Sequence, residues 1–120
     1  MSKILIVEDD ENILELEKDY IEASNMEAQG ATNGNDGLEL ALNNDYDLIL
    51  MDVHLPGING TEATSEIRKF DSHIPIVALT AISLNENREM LLSYGMNEVI
   101  TKPFEPEHFY AVVSRYLTNN

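Results

Sequence analysis

Three carboxylates, a lysine and a threonine carry the chemistry this sequence can offer. Glu8 and Asp9 follow the apolar run of Lys3 to Val7, and Asp52 closes Leu48-Ile49-Leu50-Met51. Thr80 follows Ile74 to Leu79, and Lys102 follows Val99-Ile100-Thr101. Acids brought together repel one another unless a cation sits among them. Oxygen donors, with no cysteine and no histidine pair at ligand spacing, suit Mg²⁺ better than zinc. A lysine and a hydroxyl beside such a metal stabilise charge spread over phosphoryl oxygens. The remaining carboxylate can itself attack phosphorus and give an acyl phosphate. None of these residues is diagnostic alone; the combination, each member after an apolar run, is much more specific. A second reading of Glu8-Asp9-Asp10 is a helix N-terminus, where acids meet the dipole favourably and Asp10 or Asp9 caps the helix.

Such residues need a frame that delivers several strand ends to one place. Leu48 to Met51 is apolar throughout, as is Ile4 to Val7, so both read as strands buried on two faces of a parallel sheet. In open α/β sheets the ligand crevice lies at the carboxyl ends of the strands. Met26 to Ala31 is short and mixed and predicts an edge strand; Ile74 to Leu79 is a fourth strand and Val99 to Thr101 a short fifth. Between them run five helices. In the first, Ile13, Leu16 and Tyr20 form the inner stripe, with Leu14 and Ile21 packing at the edge of the core. The turn cluster of Thr32 to Gly37 caps a second helix carrying Leu38, Leu40, Ala41 and Leu42, and Asn59-Gly60 opens a third over Thr61 to about Phe70. Ser83 and Glu86 have the capping-box spacing of a fourth, with Gly95 at its C-terminus. Pro106 starts the fifth, whose stripe is Phe109, Val112, Val113, Tyr116 and Leu117. Alternating strands and helices with short connections predict a single α/β domain over residues 1–120, with a parallel sheet and right-handed crossovers.

The bulk numbers exclude several classes. Lys and Arg number 7 against 22 Asp and Glu, a net charge of −15, so the basic footprint needed for direct nucleic-acid contact is missing. Apolar runs of four or five residues cannot span a membrane, and the Met-Ser-Lys start is no signal peptide. The expectation is a cytoplasmic protein without disulfides. His73 sits in a polar loop and receives no role.

The motifs Ile-Leu-Ile-Val-Glu-Asp-Asp, Leu-Met-Asp-Val-His-Leu-Pro-Gly-Ile-Asn-Gly, Leu-Thr-Ala at 79–81 and Thr-Lys-Pro-Phe at 101–104 resemble those of response-regulator receiver domains of two-component and phosphorelay signalling. The resemblance covers essentially all 120 residues. It implies a flavodoxin-like, doubly wound sheet of order 2-1-3-4-5. It further implies Asp52 as the phosphoacceptor, taking phosphate from a histidine kinase or histidine phosphotransfer protein. Asp9 would be the direct Mg²⁺ ligand, Glu8 would act largely through water, and His54 would lend only its backbone carbonyl. Thr80 would hydrogen-bond a phosphoryl oxygen, Lys102 would pair with another, and the Lys102-Pro103 bond would be cis.

Two positions bear on how such a switch would run. Many family members carry an aromatic residue three before the lysine; here that residue is Val99, so the threonine half of the usual switch survives and the aromatic half does not. His54 and Ile82, each two beyond the acceptor or the threonine, border the water path in the family. Bulky Ile82 predicts slow autodephosphorylation. The expected function is therefore a switch read by a downstream protein partner, one that assists only its own phosphorylation and dephosphorylation and is no enzyme on a separate substrate. The alternatives are a Mg²⁺-dependent aspartyl-phosphate phosphohydrolase and a non-phosphorylated interaction scaffold. Against the first, His54 stands where such enzymes place a second Asp; against the second, the full set of site residues is present. No effector segment follows the fifth helix, so a stand-alone regulator, a relay intermediate and a receiver cut from a larger protein all remain open.

Overall fold

The strands that must deliver the site are the most thoroughly buried part of the molecule. In this computed structural model, which describes residues 2–80 and 88–117, β3 (Leu48–Asp52) and β4 (Ile76–Thr80) are buried at every position. They are flanked by β1 (Lys3–Val7), β2 (Glu27–Ala31) and β5 (Glu98–Thr101), and the sheet order is β2-β1-β3-β4-β5. All four pairings are parallel. The weak second strand lies at one edge, as its mixed composition predicts.

Alternate residues of each strand enter opposite cores, because side chains in a strand point to opposite faces. Ile4, Ile6, Leu48, Leu50, Val77 and Leu79 pack against Leu14, Ile21, Phe109, Val112 and Val113, which belong to α1 (Glu11–Ala23) and α5 (Pro106–Leu117). Leu5, Val7, Ile49, Met51 and Ala78 pack against Ala63, Ile67 and Leu91 on the other face. That face is covered by α2 (Gly34–Asn43), α3 (Gly60–Arg68) and α4 (Arg88–Ser93). The doubly wound α/β expectation is met, with five strands and five helices among the described residues.

Local chemistry explains where the helices start. Asp10 caps α1, its Oδ1 accepting from the Asn12 and Ile13 amides at 2.9 and 3.2 Å. Asn33 caps α2. Asn59 and Glu62 form a capping box at α3. Pro106 is the first residue of α5, where its missing N–H costs nothing. Gly95 after α4 has φ +110, and the Ser83–Glu86 capping box lies outside the described residues.

The rotation of α1 departs from the sequence expectation. Leu14, Glu17 and Ile21 face inward, whereas Leu16 is 45% exposed and Ile13 and Tyr20 are only half-buried. The buried triplet has helical spacing too, but its central member is a carboxylic acid, which a hydropathy reading assigns to solvent. The third helix is also shorter than expected: it ends at Arg68, and Phe70 is exposed.

Candidate functional site

Parallel register brings the chemically active residues to one end of the sheet. Val7 lies level with Met51, so Glu8, one residue further, emerges beside Asp52. Asp52 pairs with Leu79 and Thr80 with Thr101, placing Lys102 just beyond the adjoining strand end. The Lys102 amide donates to the Thr80 carbonyl at 2.7 Å, and the Lys102-Pro103 peptide is cis.

The Lys102 ammonium bridges the two buried acids. It donates to Glu8 Oε1 at 2.5 Å and to Asp52 Oδ2 at 3.1 Å. Glu8 is 1% exposed and Asp52 5%, while Asp9 and His54 face solvent. One carboxylate oxygen from each of Glu8, Asp9 and Asp52 lies within 4.8 Å of the others. Three hard oxygen donors converging at an open strand end fit a divalent cation such as Mg²⁺. Thr80 is fully buried at the end of β4.

The electrostatics follow from that crowding. Burial pushes the Glu8 carboxyl up to about 7; Lys102 opposes the rise and Asp52 adds to it. Burial alone would lower the Lys102 ammonium, but the hydrogen bond to Glu8 and the charges of Asp52 and Glu8 outweigh it, so its pKa is raised. Lys102 thus stays a cation wherever the acids are charged, holding the place of positive charge at the site.

The side chains of Glu8, Asp9, Asp52 and Lys102 are brought together, Thr80 ends the neighbouring strand, and His54 lies on the loop leaving Asp52. Asp10 proves to be the helix cap, leaving Asp9 for the site. Val99 is a partly buried β5 residue packed against the core that contains Ala78 and Leu91. Ile82 lies outside the described residues.

Sequence reasoning missed three features near this framework. Glu17 is buried on α1, and its pKa is pushed up to about 8 by burial, then by the charge of Glu8. The i, i+3, i+7 spacing of Leu14, Glu17 and Ile21 was its signal. Gly34 and Asn35 on α2 touch the loop after Asp52, a long-range contact with no sequence signature. Glu98 on β5 pairs with Arg88 at 3.4 Å and Arg115 at 3.3 Å, and accepts from the Tyr116 hydroxyl at 3.1 Å. These exposed-cation pairs tie α4, β5 and α5 together on one face.

Comparison with known proteins agrees with this geometry. The family model of the response regulator receiver domain matches residues 4–114. The response regulator ArlR of Staphylococcus saprophyticus is 40% identical over 117 residues, covering 98% of this chain and 53% of that protein. The chain thus spans about half of ArlR's length, but 94% of the polar-differentiation response regulator DivK of Brucella anthropi, with 37% identity across 95% of this chain. Among solved structures, the receiver domain of sensor histidine kinase PA1611 from Pseudomonas aeruginosa has a magnesium ion coordinated in its active-site cleft. It superposes with a TM-score of 0.90 at 32% identity, covering 97% of each chain. The response regulator TrrA of Thermotoga maritima, in complex with Mg²⁺-BeF, gives 0.90 at 35% identity over 98% of this chain and 100% of that one. The match of family model, relatives, sheet order and strand-end site establishes that this chain belongs to the response-regulator receiver domains, phosphorylation-dependent switches of two-component signalling.

Proposed function

We propose that Asp52 is the phosphoacceptor of this receiver and that the acids beside it hold Mg²⁺. The observation that carries this reading is one carboxylate in three relations. Asp52 is nearly buried at the carboxyl end of the central strand, shares an oxygen cluster with Glu8 and Asp9, and lies 3.1 Å from the Lys102 ammonium. In the transfer, the N–P bond of a phosphohistidine breaks as an Asp52 Oδ–P bond forms, and the electron pair returns to the imidazole nitrogen. Asp9 would ligate the metal directly, Glu8 largely through water, and the His54 carbonyl would complete the protein's donors. Bound Mg²⁺ supplies positive charge against the phosphoryl oxygens. Lys102, released from Glu8, pairs with one such oxygen, and the Thr80 hydroxyl donates to another.

The phosphodonor is a histidine kinase or a histidine phosphotransfer protein, and the output is contact with a downstream protein partner in the cytoplasm. An apolar groove of about 420 Å³ supports a docked donor: it is lined by Ile13, Leu16 and Tyr20 of α1 together with Lys102, Pro103 and Phe104. The outward rotation of α1 thus leaves apolar surface beside the acceptor. The domain turns over no separate substrate. Among the described residues no helix is long and apolar enough to cross a membrane.

Intact-mass analysis after incubation with a small phosphodonor and Mg²⁺ tests the acceptor. A single Mg²⁺-dependent phosphate adduct, absent from Asp52→Ala, is expected. Release of phosphate over many turnovers without a lasting adduct would instead indicate a phosphohydrolase. Folded, Mg²⁺-bound protein showing neither adduct nor turnover would indicate a scaffold.

A further inference from the structure

The loop that leaves Asp52, Val53 to Asn59, is fixed at both ends. The Val53 amide donates to the Leu79 carbonyl at 2.9 Å, and the Gly60 amide closes the loop by donating to the Val53 carbonyl at 2.8 Å. Midway along it Pro56-Gly57 makes a turn in which Gly57 has φ +75. That turn does not stand free; it rests on the first turn of α2. The Ile58 amide donates to Asn35 Oδ1 at 3.3 Å, and the Gly34 amide donates to the Pro56 carbonyl at 3.4 Å. A Cβ at Gly34 would overlap the Ile58 carbonyl oxygen, and one at Gly57 would overlap Asn35 Oδ1. The two backbones therefore meet with no room for a side chain between them.

This contact is not needed to start α2. Asn33 already caps the helix, accepting from the Asp36 amide at 2.7 Å. The Asn35 carboxamide oxygen is turned instead to a loop 23 residues further along the chain. His54 lies between Val53, held by β4, and Pro56, held by α2, and a backbone carbonyl has no rotamer of its own: its direction is set by its neighbours.

We propose that Asn35 and Gly34 are positioning residues for the acceptor site. By holding Pro56 to Ile58 against α2, they fix the course of the loop and hence the direction in which the His54 carbonyl is presented beside Asp52. The proposal rests on the reading of Asp52 as acceptor and of the loop carbonyl as a metal donor. Supporting groups behind metal ligands commonly affect affinity without touching the ion.

The test uses Asn35→Ala, Asn35→Asp (which keeps the acceptor oxygen) and Gly34→Ala, with three readouts. These are amide exchange of Ile58 in metal-free protein, Mg²⁺ affinity by calorimetry, and the half-life of the phosphate adduct. Asn35→Ala should speed Ile58 exchange and weaken Mg²⁺ by about fivefold, below the usual range for supporting groups because the bond is exposed. Asn35→Asp should restore both to within about twofold, and Gly34→Ala should exceed Asn35→Ala because backbone cannot yield. Faster Ile58 exchange in Asn35→Ala with wild-type Mg²⁺ affinity and adduct lifetime would overturn the proposal, since the contact would then be structural only. If wild-type protein itself binds no Mg²⁺ and takes no phosphate, the acceptor reading fails, and the proposal with it. Should Gly34→Ala not fold, the Asn35 pair decides.

Discussion

Among the described residues two glutamates are withdrawn from water, and the structure treats them differently. Glu8 and Glu17 are 1% and 0% exposed, and burial is the largest cause of a raised pKa in both. Glu8 shares the Lys102 ammonium with Asp52 and accepts the Asp10 amide at 3.2 Å. Glu17 has neither oxygen hydrogen-bonded among the described residues. At one place a cation and a donor offset part of the cost of burying the charge, whereas at the other only the proton removes it. The paired acid is part of the site. The unpaired one lies on the helix that packs beneath it and senses its charge.

The largest effect comes from removing the shared cation. Lys102→Met leaves the buried Glu8 and Asp52 facing each other without the cation they share. Breaking a buried pair in this way should destabilise the metal-free protein by about 3 kcal/mol at neutral pH. The loss is read by urea unfolding and should be largely recovered at saturating Mg²⁺. An unchanged urea midpoint without metal would show that something other than Lys102 neutralises the acids.

Glu17 should respond in the opposite sense. Glu17→Leu replaces an unpaired buried carboxyl by an apolar side chain between Leu14 and Ile21, and should stabilise the fold by about 2 kcal/mol near pH 7.5. The same substitution at Glu8 should abolish tight Mg²⁺ binding. A pH series separates the causes. The folded-state pKa of Glu17, about 8, lies above its ordinary 4.5, so the folded state holds a proton that the unfolded state releases between these values. Its contribution is fully present below pH 4.5 and is lost as pH rises through 8. Glu8, raised to about 7, adds to the same decline over the lower part of that window. Lys102 is also raised, but from 10.5, so its contribution declines only at higher pH. The wild type should therefore lose stability from pH 5 to pH 8, and Glu17→Leu should lose less; equal slopes would mean that Glu17 is ionised or hydrated in the fold.

This contrast marks what could be read in the sequence. The sheet was legible because β3 and β4 are apolar at nearly every position, and only a sheet covered on both faces buries such strands. The convergence of Glu8, Asp52, Thr80 and Lys102 was legible because each follows a strand that register then aligns. The rotation of α1 was not. Ile13, Leu16 and Tyr20 form an apolar arc as convincing as Leu14 and Ile21, and the tie is decided by a residue whose neutral form exists only once it is buried. The apolar arc left outside then lines the groove beside Lys102. The contact of Asn35 with Ile58 escaped for another reason: it joins two turns whose own sequences are fully accounted for by capping and by Pro-Gly.

The smallest test asks whether an unpaired buried group must be ionisable to matter. Thr64 on α3 is fully buried and, like Glu17, has its side-chain oxygen without a hydrogen-bond partner among the described residues. A hydroxyl loses far less than a carboxylate on leaving water and has no proton to trade for the charge. Valine keeps the branched shape, so Thr64→Val changes polarity with little change in packing. It should stabilise by less than about 1 kcal/mol, with unchanged dependence on pH and on urea concentration. A destabilisation of that size would mean that the hydroxyl bonds the carbonyl one turn back, at Gly60, as helical threonines can. Gly60 packs directly against the Asp52 carbonyl. In that case Thr64 would belong with Glu8, as a polar group retained because it helps to hold the start of α3 against the acceptor strand.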